Sequence, residues 1–262
     1  VAVRYRGCCK THSKSSARRR ATRDARGRGL ENEAAKERVA ARFLLRSSGD
    51  YELQDAVTAM GIRRNKAYII VRRKSTTENL IMIASKLPDG PRQVLSADVE
   101  QRERFASLLK EGLKSRYIEH PVDVKFAMGE GIVFFFHKLR PFGSLRDLLH
   151  SAEPRSPYAE KYSMRGKPLP DSESVSIASQ VLRGLSVIRT AGLPPHGHLH
   201  TGNVLIPAPG IAVLSDYQYT LLRACPRRHE EAISVLGGDS AGDPDVVCFG
   251  HVLHEMVRGG EA

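Results

Sequence analysis

Two kinds of hydrophobic pattern divide the chain. Between residues 51 and 138 the apolar positions come in short, β-rich runs. Lys66 to Arg73 (KAYIIVRR) and Leu80 to Ala84 (LIMIA), joined by the polar turn Lys74 to Asn79, predict one hairpin. Val122 to Ala127 and Ile132 to Phe136, split by Met128-Gly129-Glu130-Gly131, predict another. Between them, Ala97 to Lys114 places Phe105, Leu108, Leu109 and Leu113 at helical spacing and predicts one amphipathic helix. Tyr51 to Met60 fits a short helix or a first strand equally well. After residue 139 the spacing turns helical. Ser144 is placed to cap a short helix through Leu149, and Ser151 to Pro170 is a Pro- and Ser-rich loop. Asp171 or Ser172 caps a long helix from Glu173 to Thr190, and Gly192 ends it. Glu31 to Arg46 (ENEAAKERVAARFLLR) and the segment from Asp245 to Val257 predict helices before and after these blocks. Tyr219 to Pro244 is only loosely patterned.

The stretch Pro195-His196-Gly197-His198-Leu199-His200-Thr201-Gly202-Asn203-Val204-Leu205-Ile206 stands apart. It runs from a turn signal through three alternating histidines into a short apolar strand. Pro207 to Gly210 turns the chain into a second strand, Ile211 to Leu214, closed by Ser215-Asp216-Tyr217-Gln218. Asn203 at the front of one strand and Asp216 at the back of the next are therefore expected close together. The histidines also admit a zinc reading, since imidazoles at alternate positions of an extended segment point to one side. No nearby carboxylate or cysteine completes a tetrahedral set, and that weighs against it.

Composition and charge alter this picture at one end only. Of the formal charge of +12, residues 1–30 supply +9, with ten Lys or Arg against the single acid Asp24. This tail has few apolar side chains to offset the entropy of ordering and is expected to be disordered. It is suited to contact with anionic lipid headgroups or nucleic acid, or to serve as a solvated linker. Cys8, Cys9, Cys225 and Cys248 show neither a disulfide framework nor zinc spacing, which fits a reducing compartment. No apolar run approaches the ~20 residues of a membrane span. A cytoplasmic location, with peripheral membrane contact through the tail, is the expectation.

A strand-rich half, a Gly-Ser-Leu helix, a long helix, a His-rich loop, an Asp turn and an Asp-x-x-x-Phe-Gly helix follow one another in the order found in protein kinases. Gly197-His198-Leu199-His200-Thr201-Gly202-Asn203 and Asp245-Val246-Val247-Cys248-Phe249-Gly250-His251 are similar to strings of the PX-domain-containing kinase-like (Slob-related) proteins. The resemblance covers roughly Tyr51 to Gly260, with no recognisable PX domain. It implies an α+β, two-lobe kinase-like fold with an N-lobe at about 51–138 and a partial C-lobe at about 139–262. Composition and patterning place a disordered tail at 1–30 and a helical linker at 31–50 before it. That C-lobe would stop after the helix starting near Asp245 and leave apolar surface exposed.

The resemblance further implies an ATP and magnesium site. Asn203 and Asp216 fall at the metal- and nucleotide-binding positions of a kinase, where a loop His-Arg-Asp-x-x-x-x-Asn is followed by Asp-Phe-Gly. His198 occupies the catalytic aspartate position, and His200 that of the loop lysine. Lys86, in Ile83-Ala84-Ser85-Lys86, mimics the phosphate-contacting lysine of Val-Ala-Ile-Lys. Its helix partner would be Glu103, with Glu100 and Glu111 as alternatives. Met60-Gly61-Ile62-Arg63-Arg64-Asn65 stands at the phosphate loop with one glycine, and Phe136-His137-Lys138 at the hinge. Losing the base removes a contribution of ~10²–10⁴-fold. The sequence thus reads as a pseudokinase: a nucleotide-responsive binding or scaffolding module with protein partners. The alternatives are a weakly active Ser/Thr kinase, and a membrane or nucleic-acid anchor acting through residues 1–30.

Overall fold

The computed structural model of the chain describes residues 39–55, 66–154, 156, 158–197, 199–223 and 243–260. The basic tail, the segment at the phosphate-loop position and His198 lie outside the described residues.

The upper half is built on a five-stranded antiparallel sheet. Its strands are β1 (Tyr51–Asp55), β2 (Lys66–Arg73), β3 (Asn79–Lys86), β4 (Asp123–Ala127) and β5 (Ile132–Lys138), in the spatial order β1-β2-β3-β5-β4. Both expected hairpins form, and β3 joins them by pairing with β5 from Leu80–Lys138 to Lys86–Ile132. The ambiguous segment after Tyr51 begins as a strand. Side chains alternate across the sheet. Ala67, Ile69 and Val71 of β2, Leu80, Met82 and Ala84 of β3, and Ile132, Phe134 and Phe136 of β5 share the outer face. A helix over 39–48, here α1, lays Ala40, Ala41 and Leu45 on that face. This part of the segment expected to be a linker therefore belongs to the lobe's core.

The single helix expected over Ala97 to Lys114 is divided. One helix, α2 (Asp89–Ala97), precedes it, and α3 (Val99–Ser107) runs into a π-turn at Leu108–Gly112. Asp98 makes the break, because its carboxylate accepts from the Glu100 and Gln101 N–H groups at 2.8 and 3.4 Å and caps α3. Pro88-Asp89-Gly90-Pro91 suggests a loop by composition, yet proline is tolerated in a first helical turn where no N–H is needed. Leu95 and Leu109 pack with Val133 and Phe135 beneath the sheet.

The lower half centres on α6 (Asp171–Thr190), two residues longer at its start than expected, with Pro170 rather than a polar side chain at its N-cap. It follows α4 (Leu145–Leu149) and α5 (Tyr158–Lys161), the latter inside the expected loop. Ile177, Val181 and Ile188 of α6 pack against Cys248, Val252 and Met256 of the last helix, α8 (Pro244–Arg258). Gly184 lets α6 approach the small hairpin of β6 (Val204–Ala208) and β7 (Ile211–Leu214): a Cβ there would lie 2.7 Å from Leu214 Cδ1. A short helix, α7 (Tyr217–Leu221), follows β7, starting in the Ser215–Gln218 string and running into the loosely patterned stretch from Tyr219. Val175, Leu182, Val246 and Val257 leave an exposed apolar face along α6 and α8. Among the described residues no helix is long and apolar enough to cross a membrane.

Candidate functional site: the cleft between the lobes

A cavity of about 400 Å³ separates the sheet from the lower half, within the range of small-molecule sites. Ile70, Ile81 and Ile83 form an apolar roof, Leu205 of β6 lies below, and Asn203, Ser215 and Asp216 line the wall. The Glu119 N–H donates to the Leu214 carbonyl at 2.6 Å, tying the upper half to the lower behind the cleft. The Glu119 carboxylate is held by Arg140, whose Nε lies 3.1 Å away. Burial pushes that carboxyl up, but His137 and Arg140 outweigh it and hold it below the usual range.

The His-rich loop hangs on one buried carboxylate. Asp245, in the first turn of α8, accepts from the His196 N–H at 2.6 Å and the Gly197 N–H at 2.8 Å. The His196 ring is fully buried, and its Nε2–H donates to the Ser215 carbonyl at 3.0 Å. Burial pulls its pKa below the ordinary histidine value, against the opposing pull of Asp245 and Asp216. Ser215 closes the ring of contacts, with its N–H and hydroxyl both donating to the Asn203 carbonyl at 2.8 and 3.0 Å. Thr201 Oγ1 donates to buried Glu255 of α8 at 2.5 Å. Asn203 and Asp216 are thereby presented together on one wall, as the sequence led us to expect. Asp216 adopts the left-handed backbone region (φ 68°) that lets the chain turn from β7 into α7.

The other predicted residues fare differently. His200 turns its Nδ1 back to accept from the Gly202 N–H at 3.0 Å, capping the 3₁₀ turn Thr201–Asn203. With His196 also committed to backbone groups, the described histidines do not converge on a metal, and no His, Cys, Asp and Glu cluster among the described residues does so. Lys86 is not in the cleft. It lies on the outer-face parity of β3, beyond Leu80, Met82 and Ala84, and is exposed. Its expected partners are elsewhere too: Glu103 is exposed, Glu100 pairs with Arg104 at 2.6 Å, and Glu111 with Lys114 at 3.5 Å. His137, not Phe136, lines the cleft at the hinge.

Three residues carry weight here without having been singled out for it. Lys66, the first residue of β2, places Nζ 2.8 Å from Asp216 Oδ2 and 3.3 Å from the centroid of the Tyr219 ring. Asp245 entered the sequence analysis as a helix start and as part of a family-like string, without a role in holding the loop. Asp147 joins Ser144 in a reciprocal capping box and receives Lys161 Nζ at 2.8 Å and the Tyr162 hydroxyl at 2.7 Å. Burial pushes its carboxyl up, but Lys161, Tyr162 and the Ser144 N–H together hold it below the usual range. The Ser-x-x-Asp spacing was the available signal for that box.

Comparison with known proteins decides the family. No protein-family model matches the chain. The Slowpoke-binding protein of Drosophila melanogaster is 31% identical over 224 residues, covering 82% of this chain and 42% of that protein. The probable inactive serine/threonine-protein kinase slob2 of Dictyostelium discoideum is 32% identical over 234 residues, 84% of this chain and 38% of that one. The fold is that of a protein kinase, and the relatives are Slob-related kinase-like proteins. The PX domain-containing protein kinase-like protein of Mus musculus is 28% identical over 221 residues, covering 83% and 36% of the two chains. This chain thus spans less than half the length of each of these relatives. A crystal structure of Rad53 1-466 in complex with AMP-PNP superposes with a TM-score of 0.58 over 81% of this chain and 49% of that one, at 14% identity, and shows the fold alone.

Asn203 and Asp216 fit magnesium by donor chemistry. Both side chains bear oxygen on one cleft wall, and this hard cation favours one or two carboxylates completed by phosphate and water. A bound ion would bring phosphate oxygens to that wall and screen their charge. The loop from His196 to Asn203 holds no carboxylate that could take a hydroxyl proton.

Proposed function

We propose that this kinase-like domain binds an ATP-type nucleotide in the inter-lobe cleft and acts by presenting surfaces to protein partners, not by transferring phosphate. The observation carrying this reading is the cleft itself, apolar at the roof, with Asn203 and Asp216 on one wall and no carboxylate in the adjoining loop. The apolar part suits a purine ring, and the oxygen-bearing wall suits metal-bridged phosphates. Relatives whose names include "probable inactive" kinase and "Slowpoke-binding" support a binding role over catalysis. A cytoplasmic setting with the basic tail on an anionic surface is consistent with the tail's charge.

The test is thermal unfolding with ATP and MgCl₂ on the wild type and on Asp216→Ala. A rise in melting midpoint that needs both the metal and Asp216 is expected. No shift at saturating ATP would leave a nucleotide-free scaffold. Phosphate incorporation into a protein substrate that disappears in Asp216→Ala would replace the binding reading with an enzymatic one.

A further inference from the structure

The cleft contains an acidic side chain, Asp216, where a nucleotide's phosphates would approach. A polyphosphate beside a carboxylate needs a cation, and the kinase pattern places that cation on the third strand. The register of this sheet does not allow it. On β3 the residues facing the cleft are Ile81 and Ile83, and their strand-mates Leu80, Met82 and Ala84 face the other way under α1. Lys86 belongs to the second set. On β2 the cleft-facing residues are Tyr68 and Ile70, and Lys66 has the same parity.

Lys66 pairs with Ser85 across β2 and β3, so it comes alongside the end of β3 where a lysine would otherwise be sought. Its side chain is mostly buried, with 12% exposed, and its ammonium lies 2.8 Å from Asp216 Oδ2 above the Tyr219 ring. The aromatic face fixes the ammonium's position, since a ring quadrupole attracts a cation set over it. Three N–H donors let one ammonium bridge a carboxylate and phosphate oxygens at the same time.

We infer that Lys66 on β2, and not Lys86 on β3, is the lysine that contacts nucleotide phosphate in this cleft. The inference rests on the nucleotide-binding reading above and adds the residue that recognises the phosphates. It makes the cleft selective for phosphorylated nucleosides through a cation supplied by the neighbouring strand.

The experiment is calorimetric titration of the full chain with ATP and MgCl₂, and separately with adenosine, on wild type, Lys66→Met, Lys66→Arg and Lys86→Met. Lys66→Met should weaken ATP about tenfold or more, the scale of a lost charge-assisted contact, and leave adenosine within about twofold. Lys66→Arg should recover part of the ATP affinity, which separates loss of charge from loss of fold. Lys86→Met should change neither ligand by more than about twofold. Weakened ATP binding in Lys86→Met with Lys66→Met unaffected would overturn the assignment. So would equal loss of ATP and adenosine in Lys66→Met that arginine does not recover. If the wild type binds neither ligand, the nucleotide reading fails first and the assignment falls with it. If the wild type binds adenosine and ATP equally, only the phosphate assignment fails.

Discussion

The two walls of the cleft are built on different plans. In the lower wall, His196, Gly197, Asn203 and Ser215 are joined through backbone groups to one another and to Asp245, and most of that network is buried. In the upper wall, the contact with the opposite lobe at the acidic end is one lysine side chain, Lys66, reaching from a strand end to Asp216. Hydrogen bonds from the loop's backbone N–H groups to Asp245, with the His196 ring on the Ser215 carbonyl, hold the loop in place without using a side chain at the catalytic aspartate position. This framework therefore survives where the aspartate position reads His198 and the lysine position reads His200. A side chain reaching across a cleft depends on its own identity and strand parity. The comparison separates the scaffold that presents a kinase loop from the groups that would perform kinase chemistry.

The largest effect should come from attacking the framework. Asp245→Ala removes two charge-assisted hydrogen bonds and leaves two buried N–H donors without their acceptor. It should cost about 3 kcal/mol or more in urea denaturation at unchanged m-value. A loss under about 1 kcal/mol would mean that the loop does not depend on this carboxylate.

Next, Asp147→Asn should cost about 2–3 kcal/mol, because Lys161 Nζ, with 7% side-chain exposure, would be left beside a neutral amide. The Asp147 carboxyl titrates below its ordinary value of 3.8 in the folded state. Its contribution is therefore complete above the unfolded pKa and lost as pH falls through the lowered folded one. Acid unfolding of the wild type below about pH 4 should accordingly be steeper than that of Asp147→Asn, and matching acid limbs would remove Asp147 from the account.

A smaller, pH-dependent effect tests whether His196 belongs to the framework as a neutral ring. Burial holds its folded pKa below the ordinary histidine value of 6.5, so the unfolded chain takes up a proton more readily than the folded one. Stability from this residue is complete above the unfolded pKa and declines as pH falls toward the folded one. Stability should decline as pH falls below about 6.5, and His196→Gln should flatten that decline. The smallest effect is expected at Lys86, where Lys86→Met should shift stability by no more than about 0.5 kcal/mol. A larger change would place Lys86 in a contact that its exposed, outer-face position does not provide.

Much of the lower wall was legible in the sequence because its parts are local. A short turn between two apolar runs brings Asn203 and Asp216 together, and Ser144 announces its own cap. The upper wall was not legible in the same way. Ile81 and Ile83 are as apolar as Met82 and Ala84, so β3 carries no polar face to mark which side meets the cleft. The string Ile83-Ala84-Ser85-Lys86 then imitates a motif one residue out of phase. Helix α2 was hidden by Pro88-Asp89-Gly90-Pro91, whose composition suggests a loop while its first-turn geometry permits a helix.

The sequence by itself determined the fold class, the two hairpins and the long helix, the closeness of Asn203 to Asp216 and the absence of a carboxylate between His196 and Asn203. The fold class follows from the resemblance to a known family, and the rest from short-range spacing and residue identity. Only the tertiary structure decided that Lys66 and not Lys86 faces Asp216, that Asp245 holds the loop from 48 or more residues away, and that the helix over 39–48 completes the upper core. Each depends on which face of a two-sided apolar strand is covered, or on contacts between segments far apart in the chain, and neither is written in local hydrophobic periodicity.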